Sequence, residues 1–186
     1  VSLKSTLAQA GKLKLLENNR NRGKGFSVKK GILACLGEYL LISDADLSTP
    51  IEEIEKLFSY IKSGYDIVIG SRSVKDSDVK IHQPWYREGM GKIFNLFVRL
   101  LIVNEFSDTQ CGFKLFKGDI ARDIASFMKI DGFCFDVEML YLAELRKSSI
   151  KEAGVIWLNS PQSRVKVVDS SVHMFLDLLK IKALHR

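Results

Sequence analysis

The sequence predicts an α/β fold in which a mostly parallel central sheet is flanked by helices. Segments with strand and helix patterns alternate along the chain, and this alternation is typical of βαβ units. The apolar run from Tyr39 to Ser43 leads directly into Asp44 and Asp46, and ligands of open α/β sheets bind beyond the carboxyl ends of such strands. The 186 residues, 46 % of them hydrophobic, are enough to bury one core, so residues 1–186 are expected to form a single domain.

Apolar periodicity and helix-end signals define the elements of the first half of the chain. Gly11 and Gly37 end helical patterns over residues 1–10 and 26–36, and strands are predicted over residues 12–17, 39–43 and 65–70. A helix over residues 50–62 is indicated by Thr49, Pro50 and Glu52, which form a capping box with Pro at the first helical position. Because this helix has its own N-cap, Asp44 and Asp46 are available for another role.

The second half of the chain is predicted to be richer in helix. A polar loop over residues 73–84 precedes helices over residues 85–103, 118–128, 135–147 and 170–184 and extended segments over residues 109–116 and 153–158. In the helix from Trp85, the polar residues Glu88, Lys92, Asn95 and Arg99 form one stripe and apolar residues cover the rest. So wide an apolar face packs in the core, the default interpretation, or lies on lipid. The terminal helix is a second candidate for lipid contact.

Asp44 and Asp46 are a candidate metal site. Carboxylates two positions apart on an extended segment project to the same side, where their repulsion favours a cation between or beside them. Mg²⁺ or Mn²⁺ is expected, because these ions take one or two carboxylates and complete their coordination with phosphate oxygens of a substrate. A simple helix-capping role is the alternative, and the separate capping box argues against it.

Charge and cysteine content exclude several classes of protein. Residues 1–30 carry eight Lys or Arg against Glu17, whereas the rest of the chain is almost neutral, so a local anion site is favoured over a nucleic-acid surface. Cys35, Cys111 and Cys134 are widely spaced, which indicates neither a disulfide framework nor a zinc site. No signal peptide or membrane-spanning apolar stretch is found in these residues.

Five motifs occur in the order and spacing of a known family: Asn21–Gly25, Ser43–Asp46, Ile69–Arg72, Asp108–Phe116 and Phe135–Glu138. In these motifs the chain resembles the dolichyl-phosphate β-glucosyltransferases and dolichol-phosphate mannose synthases, which are inverting family 2 glycosyltransferases with the GT-A (nucleotide-diphospho-sugar transferase) fold. The resemblance implies metal-dependent transfer of a hexose, glucose from UDP-glucose in this case, from a nucleotide-sugar donor to a polyprenyl or dolichyl phosphate acceptor. The family's opening strand and Asp-Gly-Ser turn have no counterpart here, so the domain is expected to be N-terminally incomplete.

The resemblance also implies roles for individual residues. Asp46 and Asp44 would hold the metal, with Asp44 alternatively directed to the ribose, and Asp108 would orient or deprotonate the acceptor. The other implied roles are donor diphosphate binding by Arg72, Arg164 and Lys24, and binding of acceptor phosphate or donor sugar by Gln110 and Lys114. Lys24 stands in a Gly-Lys-Gly stretch between strand and helix, where backbone N–H groups favour an anion, although a plain tight turn explains this stretch equally well.

Two further functions and a location remain as expectations. An Asp-x-Asp after a strand also occurs in haloacid-dehalogenase-type phosphatases, but that class places it on the opening strand. An inactive or partner-dependent fragment of a glycosyltransferase is the other alternative. A polyprenyl phosphate acceptor implies peripheral contact with the cytoplasmic face of a membrane, and the oligomeric state stays open.

Overall fold

The computed structural model describes residues 13–81, 85–158 and 167–185 of the chain, and for residues 81, 85–88 and 167–173 it describes the backbone only. The helices in this part are α1 (Lys24–Ala34), α2 (Ile54–Lys62), α3 (Trp85–Leu101), α4 (Gly118–Phe127), α5 (Phe135–Leu145) and α6 (Val167–Leu184), with a short 3-10 helix over Ile51–Glu53. The strands are β1 (Tyr39–Ser43), β2 (Ile67–Ser71), β3 (Asp78–Ile81), β4 (Phe113–Lys117), β5 (Ile150–Gly154) and β6 (Ile156–Leu158).

The main sheet of the described residues has the strand order β1-β4-β2-β5. Strand β4 is antiparallel to both β1 and β2, whereas β2 and β5 are parallel. Strands β1, β2 and β5 therefore run in one direction, and the α/β fold has a mixed sheet. Because β4 runs the other way, the segment that precedes it lies at the same sheet edge as the segments that follow β1 and β2.

Both faces of this sheet are covered by apolar residues. Ile67, Ile69 and Phe116 belong to the larger core cluster, which includes residues of α4 and α5. Val68 lies between Ile67 and Ile69 in sequence and packs on the other face with Leu57 of α2. This period-two alternation is what a sheet with two covered faces requires. It also directs the side chain at position 114 of β4 away from the face of Phe113 and Leu115.

Most predicted elements of the described residues are confirmed with shifted ends, and three differ. Residues 13–17 form no strand, and the helix tail over residues 1–10 lies outside the described residues. The loop over residues 73–84 contains β3, which pairs in parallel with β6, and a break before Ile156 divides the predicted strand over residues 153–158 between two sheets. These pairings join residues 77 to 83 positions apart, so local sequence patterns do not reveal them.

The predicted capping box is also wrong. Thr49 is buried and makes no side-chain cap, and the chain enters α2 through the 3-10 helix after Pro50. Pro50 has an extended ψ of 143°, so it precedes the helix instead of occupying its first turn. Thr49 therefore does not free Asp44 and Asp46 from a structural role, and their roles follow from their own contacts with Lys24 and Ser48.

Candidate active site

Three chain segments meet at the edge of the main sheet where β1 and β2 end. Residues 44–48 follow β1, Arg72 follows β2, and residues 108–112 precede β4. The Asp44 N–H donates to the Gly112 carbonyl at 3.0 Å, which joins the first segment to the third. The Arg72 N–H donates to Asp108 Oδ2 at 3.0 Å, which joins the second to the third. Backbone geometry thus brings together residues that are far apart in sequence.

The two aspartates after β1 have different surroundings. The strand ends at Ser43, and the Leu47 N–H donates to the Asp44 carbonyl at 3.1 Å, so these residues form a turn. The alternation of side chains along a strand therefore does not apply to Asp44 and Asp46. The expectation that an extended backbone directs both carboxylates to the same side is corrected accordingly. Asp44 is half-buried and its Oδ1 lies 2.6 Å from Lys24 Nζ. Asp46 is exposed, and its Oδ1 accepts a hydrogen bond from the Ser48 N–H at 3.1 Å.

Gly112 leaves the space that the Asp44 carboxylate occupies. A Cβ atom at position 112 would lie 1.9 Å from Asp44 Oδ2 and 2.2 Å from its carboxyl carbon. Such distances are far below van der Waals contact, so any larger residue there would displace the carboxylate. The Asp108–Phe116 motif thus requires glycine at position 112 because the Asp44 carboxylate packs against it, which the sequence alone did not reveal.

The oxygen donors at this edge suit a hard divalent cation. The described residues contain no group of three or more His, Cys, Asp or Glu that would form a complete metal site. Asp46 and Asp44 offer carboxylate oxygens and leave most coordination positions to other ligands. Mg²⁺ and Mn²⁺ bind in this way beside substrate phosphates, so the residues present fit such an ion.

Arg72 and Asp108 form a two-point ion pair. Arg72 Nε lies 2.6 Å from Asp108 Oδ2, and Arg72 Nη2 lies 2.9 Å from Asp108 Oδ1. Asp108 is 5 % exposed, whereas the Arg72 side chain is 30 % exposed and its guanidinium carbon lies 5.5 Å from the centre of the Trp157 ring. Paired forks of this kind fix the plane of a guanidinium. The carboxylate therefore sets the direction in which Arg72 presents its remaining donors.

The pKa of Asp108 shows that its charge is stabilised in place. Burial alone would raise the pKa, but the charge of Arg72 and its hydrogen bonds hold the pKa of Asp108 below the ordinary value. The Gln110 N–H donates to Asp108 Oδ1 at 3.2 Å as well. A carboxylate with these partners is a weak proton acceptor near neutral pH. These contacts disfavour deprotonation of the acceptor, and they show Asp108 orienting Arg72, a role that differs from the expected orientation of the acceptor.

Glu152 of β5 holds the segment before β4 and was not predicted. Its carboxylate accepts hydrogen bonds from the Asp108 N–H at 2.8 Å and from the Ser107 N–H at 2.9 Å. These bonds position the backbone that carries Asp108. The signal available in the sequence was an acidic residue inside the extended Ile150–Ile156 stretch, where every other position but Lys151 is apolar or Gly.

Lys114 does not lie where a substrate could contact it. It is 0 % exposed, and its Nζ lies 2.5 Å from Asp136 Oδ1 and 2.6 Å from the Cys111 carbonyl. Burial raises the pKa of Asp136, and the charge of Lys114 opposes that rise. The expectation that Lys114 binds acceptor phosphate or donor sugar is therefore wrong. The ammonium of Lys114 is buried and already forms an ion pair with the Asp136 carboxylate.

Close packing fixes the start of α1 beside this buried pair. Gly23 has φ = 104°, and a Cβ there would lie 2.2 Å from the Asp131 carbonyl oxygen. A Cβ on Gly25 would lie 2.4 Å from the Ile130 carbonyl oxygen. Both positions therefore require glycine. Lys24, between them, points its ammonium at Asp44 and lies 5.6 Å from the centre of the Phe135 ring.

Two predicted residues remain to be placed. Gln110 is half-buried, and its backbone N–H donates to Asp108 Oδ1, so this residue lies next to the Arg72–Asp108 pair. Arg164 lies outside the described residues. The described chain ends before it at Leu158, whose N–H donates to the Ser48 carbonyl at 2.7 Å, next to the Asp46 turn.

Comparison with known proteins gives consistent matches over the chain. Residues 2–125 match the sequence profile of Glycosyl transferase family 2. A dolichyl-phosphate beta-glucosyltransferase of Dictyostelium discoideum is 38 % identical over 175 residues, covering 91 % of this chain and 54 % of the relative. The human protein of that name is 32 % identical over 177 residues, covering 92 % of this chain and 55 % of its own length. The chain thus spans about half the length of the curated relatives it matches.

Solved structures share the fold at low sequence identity. A glucosyl-3-phosphoglycerate synthase from Mycobacterium tuberculosis, solved with Mn²⁺, UDP-glucose and phosphoglyceric acid, superposes with a TM-score of 0.64 at 14 % identity. The match covers 93 % of this chain and 57 % of that one. The same enzyme solved with Mg²⁺ and UDP gives a TM-score of 0.61 over 92 % and 57 % of the two chains, at 13 % identity. The expected GT-A fold is thereby confirmed.

Proposed function

The chain belongs to glycosyltransferase family 2, and on this basis we propose that it transfers glucose from UDP-glucose to dolichyl phosphate or a related polyprenyl phosphate. The observation that carries the proposal is the meeting of Asp44, Asp46 and the Arg72–Asp108 pair at one sheet edge. The similarity to dolichyl-phosphate beta-glucosyltransferases supplies the donor and acceptor classes. The family membership favours this function over the phosphatase alternative.

The donor end of the proposed site is built to hold a diphosphate. Asp46 and Asp44 would hold Mg²⁺ or Mn²⁺, which when bound would neutralise charge on the departing nucleoside diphosphate. Arg72 uses Nε and Nη2 on Asp108, and within the described residues its Nη1 makes no hydrogen bond. That nitrogen can donate to a phosphate oxygen. In this proposal Asp108 acts as a positioning residue for Arg72.

The acceptor in this proposal needs no strong general base. A lipid phosphate oxygen is already anionic near neutral pH, so positioning and charge screening replace proton removal. This agrees with the engagement of both Asp108 oxygens by Arg72 and Gln110. Gln110 is assigned to the acceptor phosphate or the donor sugar. Arg164, six positions after Leu158, is assigned to the donor diphosphate as a closing group.

A direct assay tests this function. We expect the protein to convert UDP-glucose carrying labelled glucose and dolichyl phosphate in detergent micelles to a solvent-extractable labelled lipid, in the presence of Mn²⁺ and not of EDTA. GDP-mannose as donor and a phosphate-free polyprenol as acceptor are the controls. Metal-dependent binding of UDP without any lipid product would contradict the acceptor, and product formation in EDTA would contradict the metal.

Helices α3 and α6 contact each other and both expose apolar residues. The surface, called here the α3–α6 apolar surface, consists of Ile93, Leu96, Phe97, Leu100, Phe175, Leu176 and Leu179. The rings of Phe97 and Phe175 join the two helices, with centroids 5.3 Å apart. The basic side chains Lys92, Arg99, Lys180 and Lys182 are exposed on the same helices. No described helix is both long and apolar enough to cross a bilayer.

We propose that the α3–α6 apolar surface rests on the membrane that contains the lipid acceptor. Apolar residues flanked by basic ones suit the interface of an anionic bilayer. The paired variant Leu96→Asp/Leu100→Asp is expected to reduce binding to phosphatidylserine-containing vesicles about tenfold or more, because each buried leucine contributes about 1.5–3 kcal/mol. Leu36→Asp, at a residue 92 % exposed beyond α1, is the control in vesicle flotation. Equal binding of both variants would remove this surface from the membrane contact.

A further inference from the structure

Lys24 forms an ion pair with Asp44, one of the two carboxylates that would hold the metal. Its Nζ lies 2.6 Å from Asp44 Oδ1, and both side chains are about one-third exposed, at 35 % and 36 %. This pair differs from the Lys114–Asp136 pair, which is closed off from solvent. A partly exposed ammonium and carboxylate that solvent can reach exchange partners at low cost, because the median solvent-accessible ion pair contributes only about 0–1 kcal/mol. The Lys24–Asp44 contact is therefore a replaceable one.

The remaining contacts of the two residues restrict what can move. Gly23 and Gly25 lie so close to the carbonyls of Asp131 and Ile130 that neither has room for a Cβ atom. The backbone of Lys24, between them, is therefore fixed. Asp44 is held by its own backbone hydrogen bond to Gly112. The flexible part is the four-carbon stem of Lys24, which can swing while its carboxylate partner stays in place.

Charge balance indicates when it would swing. With Lys24, Asp44, Lys114 and Asp136 ionised, the cluster is neutral as it stands. A divalent cation at Asp44 places positive charge against the Lys24 ammonium, and the two repel over a short distance in a half-buried site. A nucleoside diphosphate that arrives with the metal brings negative charge for that ammonium.

We propose that Lys24 acts as a stand-in for the metal: it holds Asp44 in the metal-free protein, is displaced by the cation, and then binds the donor diphosphate. This inference rests on the metal site of the proposed function and adds to it a defined competitor. Metal and donor binding become coupled, because the cation releases the residue that grips the donor.

The coupling predicts opposite effects of one substitution. Lys24→Met is expected to bind Mn²⁺ without nucleotide roughly two- to fivefold more tightly, since the competing ion pair is gone. The same variant is expected to bind UDP in saturating Mn²⁺ about tenfold more weakly, since a charge-assisted hydrogen bond is lost. Electron paramagnetic resonance of free Mn²⁺ measures the first effect and calorimetry the second, and neither requires turnover.

Lys29→Met is the matched control. Lys29 lies on α1 as well, and its Nζ donates to the Met128 carbonyl, with no carboxylate partner among the described residues. It should leave both affinities unchanged, and Lys24→Gln should repeat the effects of Lys24→Met. Unchanged or weaker Mn²⁺ binding by both Lys24 variants would overturn the inference while leaving the metal site intact. Absence of Mn²⁺ binding in the unsubstituted protein, with and without UDP, would overturn the proposed function itself.

Discussion

Lys114→Met is expected to lower the free energy of unfolding by about 3–5 kcal/mol, since it leaves the Asp136 carboxylate buried without its partner. Both members of the pair are almost inaccessible, with side-chain exposures of 0 % and 5 %. Thermal unfolding followed by circular dichroism measures the effect, and the midpoint should fall by roughly 6–20 °C for a chain of this size.

The loss should depend on pH in a defined direction. Burial already raises the pKa of Asp136, and removing the opposing charge of Lys114 raises it further. Above the ordinary aspartate pKa of about 4, the unfolded state ionises Asp136 while the folded variant keeps it protonated. The difference in free energy of unfolding between the variant and the unsubstituted protein is therefore smallest near pH 4. It grows as the pH rises towards 7.

Two further variants isolate the buried charge. Lys117→Met removes an ion pair from the same strand, Lys117 Nζ to Asp66 Oδ1 at 2.7 Å, but at a half-buried position where solvent reaches the charges, so its effect should be much smaller. Lys114→Met/Asp136→Ala removes both partners and should recover a large part of the loss. A double variant no more stable than Lys114→Met would assign the loss to packing.

Asp46→Asn is expected to weaken UDP binding in the presence of Mn²⁺ about 100-fold or more. The amide keeps an oxygen that can accept from the Ser48 N–H, which Asp46 Oδ1 does at 3.1 Å, so the turn is retained. What is lost is the charged ligand of the metal, and metal bridging of a diphosphate contributes several kcal/mol. Isothermal titration calorimetry with MnCl₂ and with EDTA measures the difference.

The controls for Asp46 separate metal binding from general acidity. Asp76→Asn removes an exposed carboxylate paired with Lys56 and should leave UDP binding unchanged. In EDTA, Asp46→Asn and the unsubstituted protein should bind UDP equally weakly. If Asp46→Asn retains tight Mn²⁺-dependent binding, the carboxylate does not hold the ion.

Local sequence patterns predicted the strand at 39–43 to the residue, because a short apolar run with polar ends has few other interpretations. The direction of β4 and the pairing of β3 with β6 could not be predicted, since both depend on partners distant in the chain. The same limit explains the capping box, where burial of Thr49 outweighs its local preference.

Within the candidate site, the sequence motifs predicted which residues lie there but not which partners these residues contact. Arg72 and Asp108 were each predicted to act on substrate, whereas their mutual pairing became apparent only when β2 and β4 were placed side by side. Lys114 was misassigned because a lysine in a motif suggests an anion outside the protein. Its actual anion is Asp136, on a helix 22 residues later, and only the fold supplies that partner.

The position of β4 has a consequence for biosynthesis. Strands β1 and β2 both hydrogen-bond to β4 and not to each other, so neither can make this pairing until residues 113–117 have been synthesised. During translation β1 and β2 leave the ribosome before their shared partner, and strand edges that await a partner are where chains associate wrongly. A chaperone that holds β1 and β2 until β4 emerges would therefore protect this part of the sheet.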